Sequence, residues 1–269
     1  MNPKTNKENN PDRVVESRKL ASAILKMPER AIHATGFERL DEMIVGVREG
    51  DLIIVSGLSG TGKSQLMVSM ARQMEGLHPL FFSYEMPIYE LLERFGEQLT
   101  SFYLPLLTTS GAPSWIEKII KQTKEKHNTK VVFIDHLHYL IDTSTAANRN
   151  SSEIIGSLVR QLKQVAKANQ VAIILACHVR RLPGKGARPT INDLRDSSNI
   201  GNEADVVLML QRVGQKRSKG DDDEGILISN DAWLYIDKCR HFGGRLGRIR
   251  LTFSENGFYE EVKTEVESD

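Results

Sequence analysis

The stretch DLIIVSGLSGTGKS, residues 51–64, decides the fold of this chain. Residues 51–55 are apolar after Asp51 and predict a short buried strand. Residues 57–64, GLSGTGKS, match the pattern G-x-x-x-x-G-K-[ST], in which a glycine-rich loop follows a strand and opens a helix. The glycines let consecutive backbone N–H groups turn toward one anion, and the helix N-terminus adds partial positive charge. The stretch therefore predicts a strand, a phosphate-binding loop and a helix.

The same loop predicts how a nucleotide is held. In this pattern the lysine, Lys63, reaches the β and γ phosphates of ATP, and the hydroxyl of Ser64 binds Mg²⁺. The alternative is an ordinary glycine-rich turn, which rarely satisfies the whole pattern in this structural context. We expect the nucleotide to be bound by Gly57, Ser59, Gly60, Thr61, Gly62, Lys63, Ser64 and Gln65.

Strands and helices alternate on both sides of this loop. The apolar runs predict strands over 51–55, 79–84, 130–135, 171–176, 204–210 and 233–238, and a final hairpin over 248–253 and 257–261. Helical patterns cover 63–75, the residues after Pro87, 114–127 and 151–169. Such alternation predicts an α/β fold, with a mostly parallel central sheet and helices on both faces.

Composition excludes several classes of protein. The formal net charge of the 269 residues is only +1, so contact with nucleic acid must come from local basic loops. The two cysteines, Cys177 and Cys239, form no CxxC pair, so the protein is not built around disulfides or a cysteine zinc site. This cysteine usage favours the reducing cytosol as its compartment. The polar N-terminus predicts no signal peptide, and no apolar run is long enough to predict a membrane span.

Two acidic residues follow predicted strands. Asp135 ends the strand KVVFID, where a carboxylate downstream of the phosphate loop is the expected second anchor for Mg²⁺. The alternative for Asp135 is a turn or helix-capping residue. Glu85 follows the strand PLFFSY and either activates the attacking water or favours the start of a helix through the helix dipole. Its spacing alone does not choose between these roles.

A series of motifs resembles the RecA-like motor domain of DnaB-type replicative helicases, and phage and Twinkle-like helicases look similar. The motifs are TGFERLDEM (35–43), EGDLIIVSGLSGTGKS (49–64), LFFSYEMP (80–87), VVFIDHLHYL (131–140), ILACHVRR (174–181) and LRDSSNIGNEADVVLML (194–210). The phosphate loop is shared by many ATPases, whereas the SYEMP and LRDSSNIGNEAD motifs are much more specific. The resemblance covers roughly residues 30–260 and implies a RecA-like P-loop NTPase core.

The resemblance also implies catalytic roles. It makes Glu85 the catalytic base and His178 the sensor of the γ-phosphate, although a histidine at a strand end is by itself unremarkable. In this family the active site lies between subunits of a ring, and the neighbour supplies an arginine finger and a lysine. Those positions match Arg240 and Lys238 in the segment WLYIDKCRHFGG, 233–244, whose alternative role is a solvent-facing strand.

Two loops are candidates for contact with single-stranded DNA. The resemblance places the segment HVRRLPGKGAR, 178–188, in the central channel of the ring, and a second polar loop covers residues 142–153. Neither loop contains an aromatic residue, so backbone binding without base stacking is expected. The alternative is a pair of solvent-exposed loops. The nucleic-acid-binding candidates are Arg149, Arg180, Arg181, Lys185 and Arg188.

The ends of the chain predict separate segments. Residues 1–12 are polar and predict a disordered tail, 13–28 an amphipathic linker-type helix, 29–262 the ATPase domain and 263–269 a second tail. The collar or primase domain that precedes the motor in this family has no counterpart in residues 1–29. His138 also stands where many family members carry glutamine.

The leading hypothesis is an ATP-hydrolysing ring helicase, a homo-oligomer and in this family a hexamer, that moves on single-stranded DNA. A separate loader, primase or other partner protein is a further expected contact. Two alternatives remain open. One is a RecA-like or KaiC-like regulatory or assembly ATPase, and the other is an accessory ATPase subunit of a larger DNA-processing or defence complex. Stimulation of ATP hydrolysis by DNA separates the first hypothesis from the regulatory ATPase.

Overall fold

The computed structural model describes residues 16–18, 31–96, 100–108, 110–140, 151–179, 187–194, 197–216, 226–254 and 259–262. The chain divides into two compact units, Met1–Ala31 and Ile32–Asp269. In the first unit only residues 16–18 and 31 are described, and Ser17 and Arg18 are helical. The predicted tails and most of the predicted helix 13–28 therefore lie outside the described residues. Among the described helices, none is both long and apolar enough to cross a lipid bilayer.

Helices and strands alternate through the second unit. The helices are α1 (Glu38–Ile44), α2 (Lys63–Gln73), α3 (Ile88–Phe95), α4 (Pro113–His127), α5 (Ser151–Asn169) and α6 (Ser197–Glu203). The strands are β1 (Ile32–His33), β2 (Val47–Arg48), β3 (Leu52–Gly57), β4 (Leu80–Ser83), β5 (Val131–Asp135), β6 (Ala172–His178), β7 (Val206–Lys216), β8 (Ile226–Cys239), β9 (Gly247–Phe253) and β10 (Tyr259–Glu261). Short 3-10 turns cover Glu75–Leu77, Leu137–Leu140 and Ile191–Asp193.

One large sheet organises the second unit. In the described part of the chain, eight strands pair in the order β10-β9-β8-β7-β3-β6-β5-β4. Strands β4, β5, β6, β3 and β7 run parallel, whereas β8, β9 and β10 pair antiparallel with their neighbours. The predicted α/β fold with a mostly parallel core is confirmed.

Side chains of the central strands alternate between two apolar layers. In β3, Ile53 and Val55 pack with α1, α2 and α3 on one face, while Leu52 and Ile54 pack with α4, α5 and α6 on the other. Such two-sided burial explains why the parallel strands are continuous apolar runs in the sequence. The predicted placement of helices on both faces is confirmed.

Strands β7 and β8 are longer than the predicted segments 204–210 and 233–238. They form a long antiparallel hairpin whose register shifts at Val207/Leu208 and at Arg212/Gly214. The sequence of the extension, QRVGQK, is polar and includes a glycine, so apolar periodicity does not reveal it. Pairing across the hairpin, a tertiary feature, extends both strands.

A largely buried ion pair links helix α5 to the amino ends of the central strands. Lys163 is 7% exposed, and its Nζ donates to the Gly50 carbonyl at 2.6 Å and forms an ion pair with the Asp205 carboxylate. The same carboxylate accepts a hydrogen bond from the Leu52 amide at 2.8 Å. Asp205 belongs to the ADVVLML segment, and this network gives the acidic residue of that motif a structural role.

We expect Lys163→Met to lower the free energy of unfolding by about 3–5 kcal/mol, because it leaves the largely buried Asp205 carboxylate without its cation. Urea denaturation measures this change. The double variant Lys163→Met/Asp205→Asn should regain much of the loss, because the uncharged amide oxygen still accepts the Leu52 hydrogen bond. The exposed pair between Arg160 and Glu203 provides the matched control, and Arg160→Met should cost less than about 1 kcal/mol. Equal losses in the two single variants would contradict this account.

Candidate functional site

The loop between β3 and α2 has the geometry of an anion nest. Gly60 and Gly62 adopt positive φ angles of 75° and 92°, which glycine tolerates and other residues rarely adopt. Gly62 is the N-cap of α2, and no side chain in the described residues caps this helix end. The amide groups of its first turn are therefore left for an external anion, as the sequence pattern predicts.

Lys63 begins α2 and folds back over the loop. Its side chain is buried, and its Nζ donates to the carbonyls of Gly57 at 3.2 Å and Leu58 at 3.0 Å. Burial lowers the pKa of Lys63, and the nearby charges of Asp135 and Glu85 partly oppose that shift. The ammonium group therefore lies among acceptors that phosphate oxygens can replace.

Asp135 ends β5 and is completely buried. Neither carboxylate oxygen makes a hydrogen bond of normal geometry within the described residues. Burial raises the pKa of Asp135 to about 6, with Glu85 adding to the rise and with the Ser64 hydroxyl and Lys63 opposing it. A buried carboxylate beside a serine hydroxyl is an oxygen donor set that suits Mg²⁺, so these residues fit the expected ion.

Glu85 lies two residues beyond β4, at the same carboxyl end of the parallel strands as Asp135. The amides of Tyr84 and Glu85 both donate to the Asp135 carbonyl, at 2.6 and 3.3 Å, which fixes this turn against the end of β5. The Glu85 side chain is exposed, and its charge is close enough to affect the pKa values of Lys63 and Asp135. The carboxylate is therefore accessible and adjacent to the phosphate loop.

Three histidines gather beside these acidic residues. His178 ends β6, where it pairs in register with Gly57, and its ring stacks on His136 with centroids 3.7 Å apart. The ring of His138 lies 5.4 Å from His136 and 5.9 Å from His178. Burial lowers the pKa of His136 to about 2, and the neighbouring His178, Lys63 and His138 contribute to that shift. His136 was not a sequence candidate, although it directly follows Asp135 at the end of the same predicted strand.

Lys238 and Arg240 lie near the amino ends of the parallel strands, whereas the phosphate loop follows the carboxyl end of β3. The strand register places Cys239 opposite Val206, which pairs with Ile53 near the start of β3. From there β3 runs about 13 Å to Gly57, where the loop begins, farther than either side chain reaches. Lys238 donates to the carbonyls of Gly201 and Asn202, and Arg240 donates to that of Asn202. Neither side chain therefore reaches the phosphate loop of its own chain. Their action on a neighbouring chain stays a prediction.

The DNA-binding candidates fall mostly outside the described residues. Arg149, Arg180, Arg181 and Lys185 are among these. Arg188 is described and half-exposed; it forms an ion pair with Asp237, and its guanidinium lies 4.3 Å from the Tyr235 ring centroid. Its charge is thus partly compensated within the chain, and its role in DNA contact stays a prediction.

Gln65, the last residue of the predicted nucleotide set, is buried. Its side-chain amide donates to the Arg94 carbonyl at 3.4 Å, linking α2 to the last turn of α3. The contact joins the helix of the phosphate loop to the helix that follows Glu85. Gln65 therefore helps to fix two parts of the site relative to one another.

Tyr259, in the terminal strand β10, supports the phosphate loop from the protein interior. Its hydroxyl donates to the Thr61 carbonyl at 2.9 Å, and Arg212 donates to the same hydroxyl at 3.2 Å. A Cβ at Gly62 would lie 2.6 Å from the Tyr259 hydroxyl oxygen, so any side chain at position 62 would clash with Tyr259. Sequence reasoning predicted the hairpin but missed this residue, since nothing local connects it to the loop.

We expect Tyr259→Phe to weaken nucleotide binding by about 2- to 10-fold, because it removes one hydrogen bond that positions the loop. Titration with a fluorescent ATP analogue measures this effect. Tyr235→Phe removes a hydroxyl from another tyrosine of the sheet and should leave the affinity unchanged. If Tyr259→Phe lowers stability but leaves nucleotide affinity intact, the hydrogen bond serves folding alone.

Comparisons with known proteins place nearly all of the second unit in one family. The model of the family described as "DnaB-like helicase C terminal domain" matches residues 33–110 and 108–259. A probable replicative DNA helicase of Trieres chinensis is 29% identical over 258 residues, covering 83% of this chain and 55% of that protein. The replicative DNA helicase DnaB of Mycoplasma pneumoniae is 26% identical over 261 residues, with 82% and 55% coverage. The chain thus spans about half the length of these curated relatives.

Solved structures share the fold. A DnaB-like replicative helicase, described with its interactions with primase, aligns with a TM-score of 0.71 over 94% of this chain and 68% of that chain at 20% identity. A second structure, of an ATPase domain, aligns with a TM-score of 0.71 over 92% of this chain and 98% of that chain, also at 20% identity. At this identity the likeness supports the architecture of the sheet and its flanking helices.

Proposed function

The chain belongs to the DnaB-like helicase C-terminal domain family, as its sequence motifs indicate, and from this premise we propose that it is an ATP-driven motor on single-stranded DNA. One observation carries the proposal. The carboxyl ends of neighbouring parallel strands bring together the phosphate loop, Asp135, Glu85 and His178. Ligands of open α/β sheets bind at the carboxyl ends of the strands.

The proposed site holds ATP by its phosphates. The amides of the loop and the first turn of α2 face the β phosphate, and Lys63 exchanges its carbonyl partners for phosphate oxygens. Ser64 and Asp135 would hold Mg²⁺, which when bound neutralises developing charge on the phosphates. The raised pKa of Asp135 supports this role, because a buried anion gains from a nearby cation.

Glu85 and His178 are proposed to act on the γ-phosphate. The exposed Glu85 carboxylate orients the attacking water and accepts its proton, since it is accessible and lies beside the loop. His178, level with Gly57 at the end of β6, donates a hydrogen bond to the γ-phosphate and so reports its presence. The stacked ring of His136 holds His178 in place.

We propose that active chains form a ring, a hexamer as the family resemblance implies. Lys238 and Arg240 lie too far from their own phosphate loop and act instead on the nucleotide of the adjacent chain. Assembly can involve a separate loader or primase, and one structural neighbour is described with primase interactions. The free thiols of Cys177 and Cys239 suit the reducing cytosol, the compartment we propose.

The basic loops are proposed to hold the DNA backbone. Arg149, Arg180, Arg181, Lys185 and Arg188 supply the positive charge that a nearly neutral chain otherwise lacks. Without aromatic residues in these loops, binding relies on phosphate contacts and therefore weakens with salt. Movement of the loops during hydrolysis would pass the strand through the ring.

Steady-state ATP hydrolysis with and without single-stranded DNA tests this function. We expect DNA to stimulate the rate. We also expect Arg180→Ala/Arg181→Ala/Lys185→Ala to weaken DNA affinity and to reduce the salt slope by about 2, because each neutralised phosphate contributes about 0.7 to that slope. The matched control removes three lysines elsewhere, Lys118→Ala/Lys126→Ala/Lys167→Ala, and should leave both quantities unchanged. A hydrolysis rate indifferent to DNA would contradict the motor and favour the regulatory ATPase.

A further inference from the structure

A second set of ligand atoms lies beside the phosphate loop. Glu85, His136 and His178 each offer one metal-binding atom, and these atoms all lie within 4.8 Å of one another. His136 is completely buried, and neither of its ring nitrogens has a hydrogen-bond partner among the described residues. A buried imidazole without a partner costs free energy unless another group occupies its lone pair.

The chemistry of these three side chains differs from that of the Mg²⁺ ligands. Ser64 and Asp135 offer oxygen, which Mg²⁺ prefers, whereas two imidazoles and one carboxylate are the three-ligand set of many zinc sites. Such sites leave a fourth position for water or another ligand. The two sets are adjacent in sequence at Asp135 and His136 but are suited to different ions.

The strands hold these ligands on a rigid frame. β4, β5 and β6 are consecutive neighbours in the sheet, and the three ligands lie at or just beyond their carboxyl ends. The turn that carries Glu85 is fixed to β5 by the two hydrogen bonds to the Asp135 carbonyl. For the three ligands to close around one ion, the exposed Glu85 side chain must turn inward. The stacked rings of His136 and His178 must also rotate, because imidazole lone pairs lie in the ring plane.

We propose that Glu85, His136 and His178 bind a divalent cation of the zinc class, and that this binding stops nucleotide hydrolysis. Inhibition follows because the cation occupies the Glu85 carboxylate, which must accept the proton of the attacking water, and coordinates the His178 ring, which must donate to the γ-phosphate. The inhibitory part rests on the proposed function, whereas cation binding does not. The site therefore makes the motor sensitive to free zinc.

Binding is tested with CoCl₂ and ZnCl₂ on the full, nucleotide-free chain. We expect one Co²⁺ per chain with the visible absorption of a four-coordinate ion, displaced by ZnCl₂. Nitrogen and oxygen ligands give no thiolate charge-transfer band, so such a band would assign the ion to Cys177 or Cys239 and overturn the proposal. His136→Phe keeps the ring and removes both nitrogens, and Glu85→Gln changes only an exposed side chain.

Each of these two variants should weaken Zn²⁺ binding at least about 10-fold, as even the loss of a supporting residue does in other metal sites. His127→Phe, at an exposed histidine stacked on Tyr103, is the matched control and should bind Zn²⁺ as the parent chain does. Unchanged affinity in both ligand variants overturns the site. Because cobalt absorption needs no hydrolysis, this result is independent of whether the chain is a motor.

Inhibition is tested by adding ZnCl₂ to ATP hydrolysis in excess Mg²⁺. We expect the rate to fall with the same Zn²⁺ dependence as Co²⁺ displacement, and a zinc-selective chelator to restore it. Whatever its own zinc-free rate, His136→Phe should keep most of that rate at Zn²⁺ concentrations that stop the parent chain. Saturated Zn²⁺ binding without loss of hydrolysis would overturn the inhibitory part of the proposal.

Discussion

Glu85→Gln will lower the rate of ATP hydrolysis by about 10²- to 10⁴-fold, the usual contribution of a general base. Glutamine keeps the shape of the side chain but cannot accept the proton of the attacking water. Glu85 is exposed and outside the apolar core, so the fold should be unaffected. ATP affinity should be retained, because the loop and Lys63 hold the phosphates, while Ser64 and Asp135 would hold Mg²⁺.

Two measurements separate a loss of the chemical step from a loss of ATP binding. Single-turnover hydrolysis reports the chemical step, and titration with a fluorescent ATP analogue reports binding. Glu93→Gln removes the same charge from an exposed position on α3, eight residues further along the chain, and should hydrolyse ATP normally. Normal turnover in Glu85→Gln would remove the base from its assigned role and restore the interpretation of Glu85 as a helix-start residue.

Arg240→Ala will lower the rate of ATP hydrolysis by about 10³- to 10⁵-fold, the contribution of an arginine finger. The physical reason is the loss of positive charge beside the transferring phosphoryl group of the neighbouring chain. Arg248→Ala is the matched control, because Arg248 is also exposed and stacks on Trp233 in the same antiparallel part of the sheet. It should leave hydrolysis nearly unchanged.

Mixing the two inactive variants tests whether Arg240 acts between chains. A ring containing both has some interfaces with an intact Glu85 on one side and an intact Arg240 on the other, so mixing should restore part of the hydrolysis. An arginine that only stabilises its own chain through the Asn202 carbonyl gives no such rescue. Unfolding of Arg240→Ala in urea, compared with the parent chain, measures that structural contribution separately.

Patterns confined to neighbouring residues were readable from the sequence. The strand, glycine-rich loop and helix of residues 51–64 follow from consecutive residues, and the structure has them as β3, the nest and α2. The strands were predicted from their apolar runs, and their parallel order was predicted from the alternation of strands and helices. Asp135 and Glu85 became candidates because each lies at the end of such a run.

Longer-range features were missed because their partners are far apart in the chain. Tyr259 meets Thr61 through the pairing of β10 with β9 at the edge of the sheet, and no periodicity indicates that contact. The polar end of β7 and the start of β8, which the sequence analysis did not predict, are strands because they pair with each other. Arg240 was assigned to the neighbouring chain by resemblance, and only the strand register provides the distance from its own loop.

The sequence by itself determined the phosphate loop, the family and the alternation of strands and helices, because these depend on local spacing and on the burial of apolar runs. Tertiary structure alone decided which side chains share a site. The order of the strands, set by packing of the two apolar layers, brings the ends of β4, β5 and β6 together. That order adds His136, which the sequence did not single out, to Glu85 and His178, which the family resemblance alone had assigned to one site.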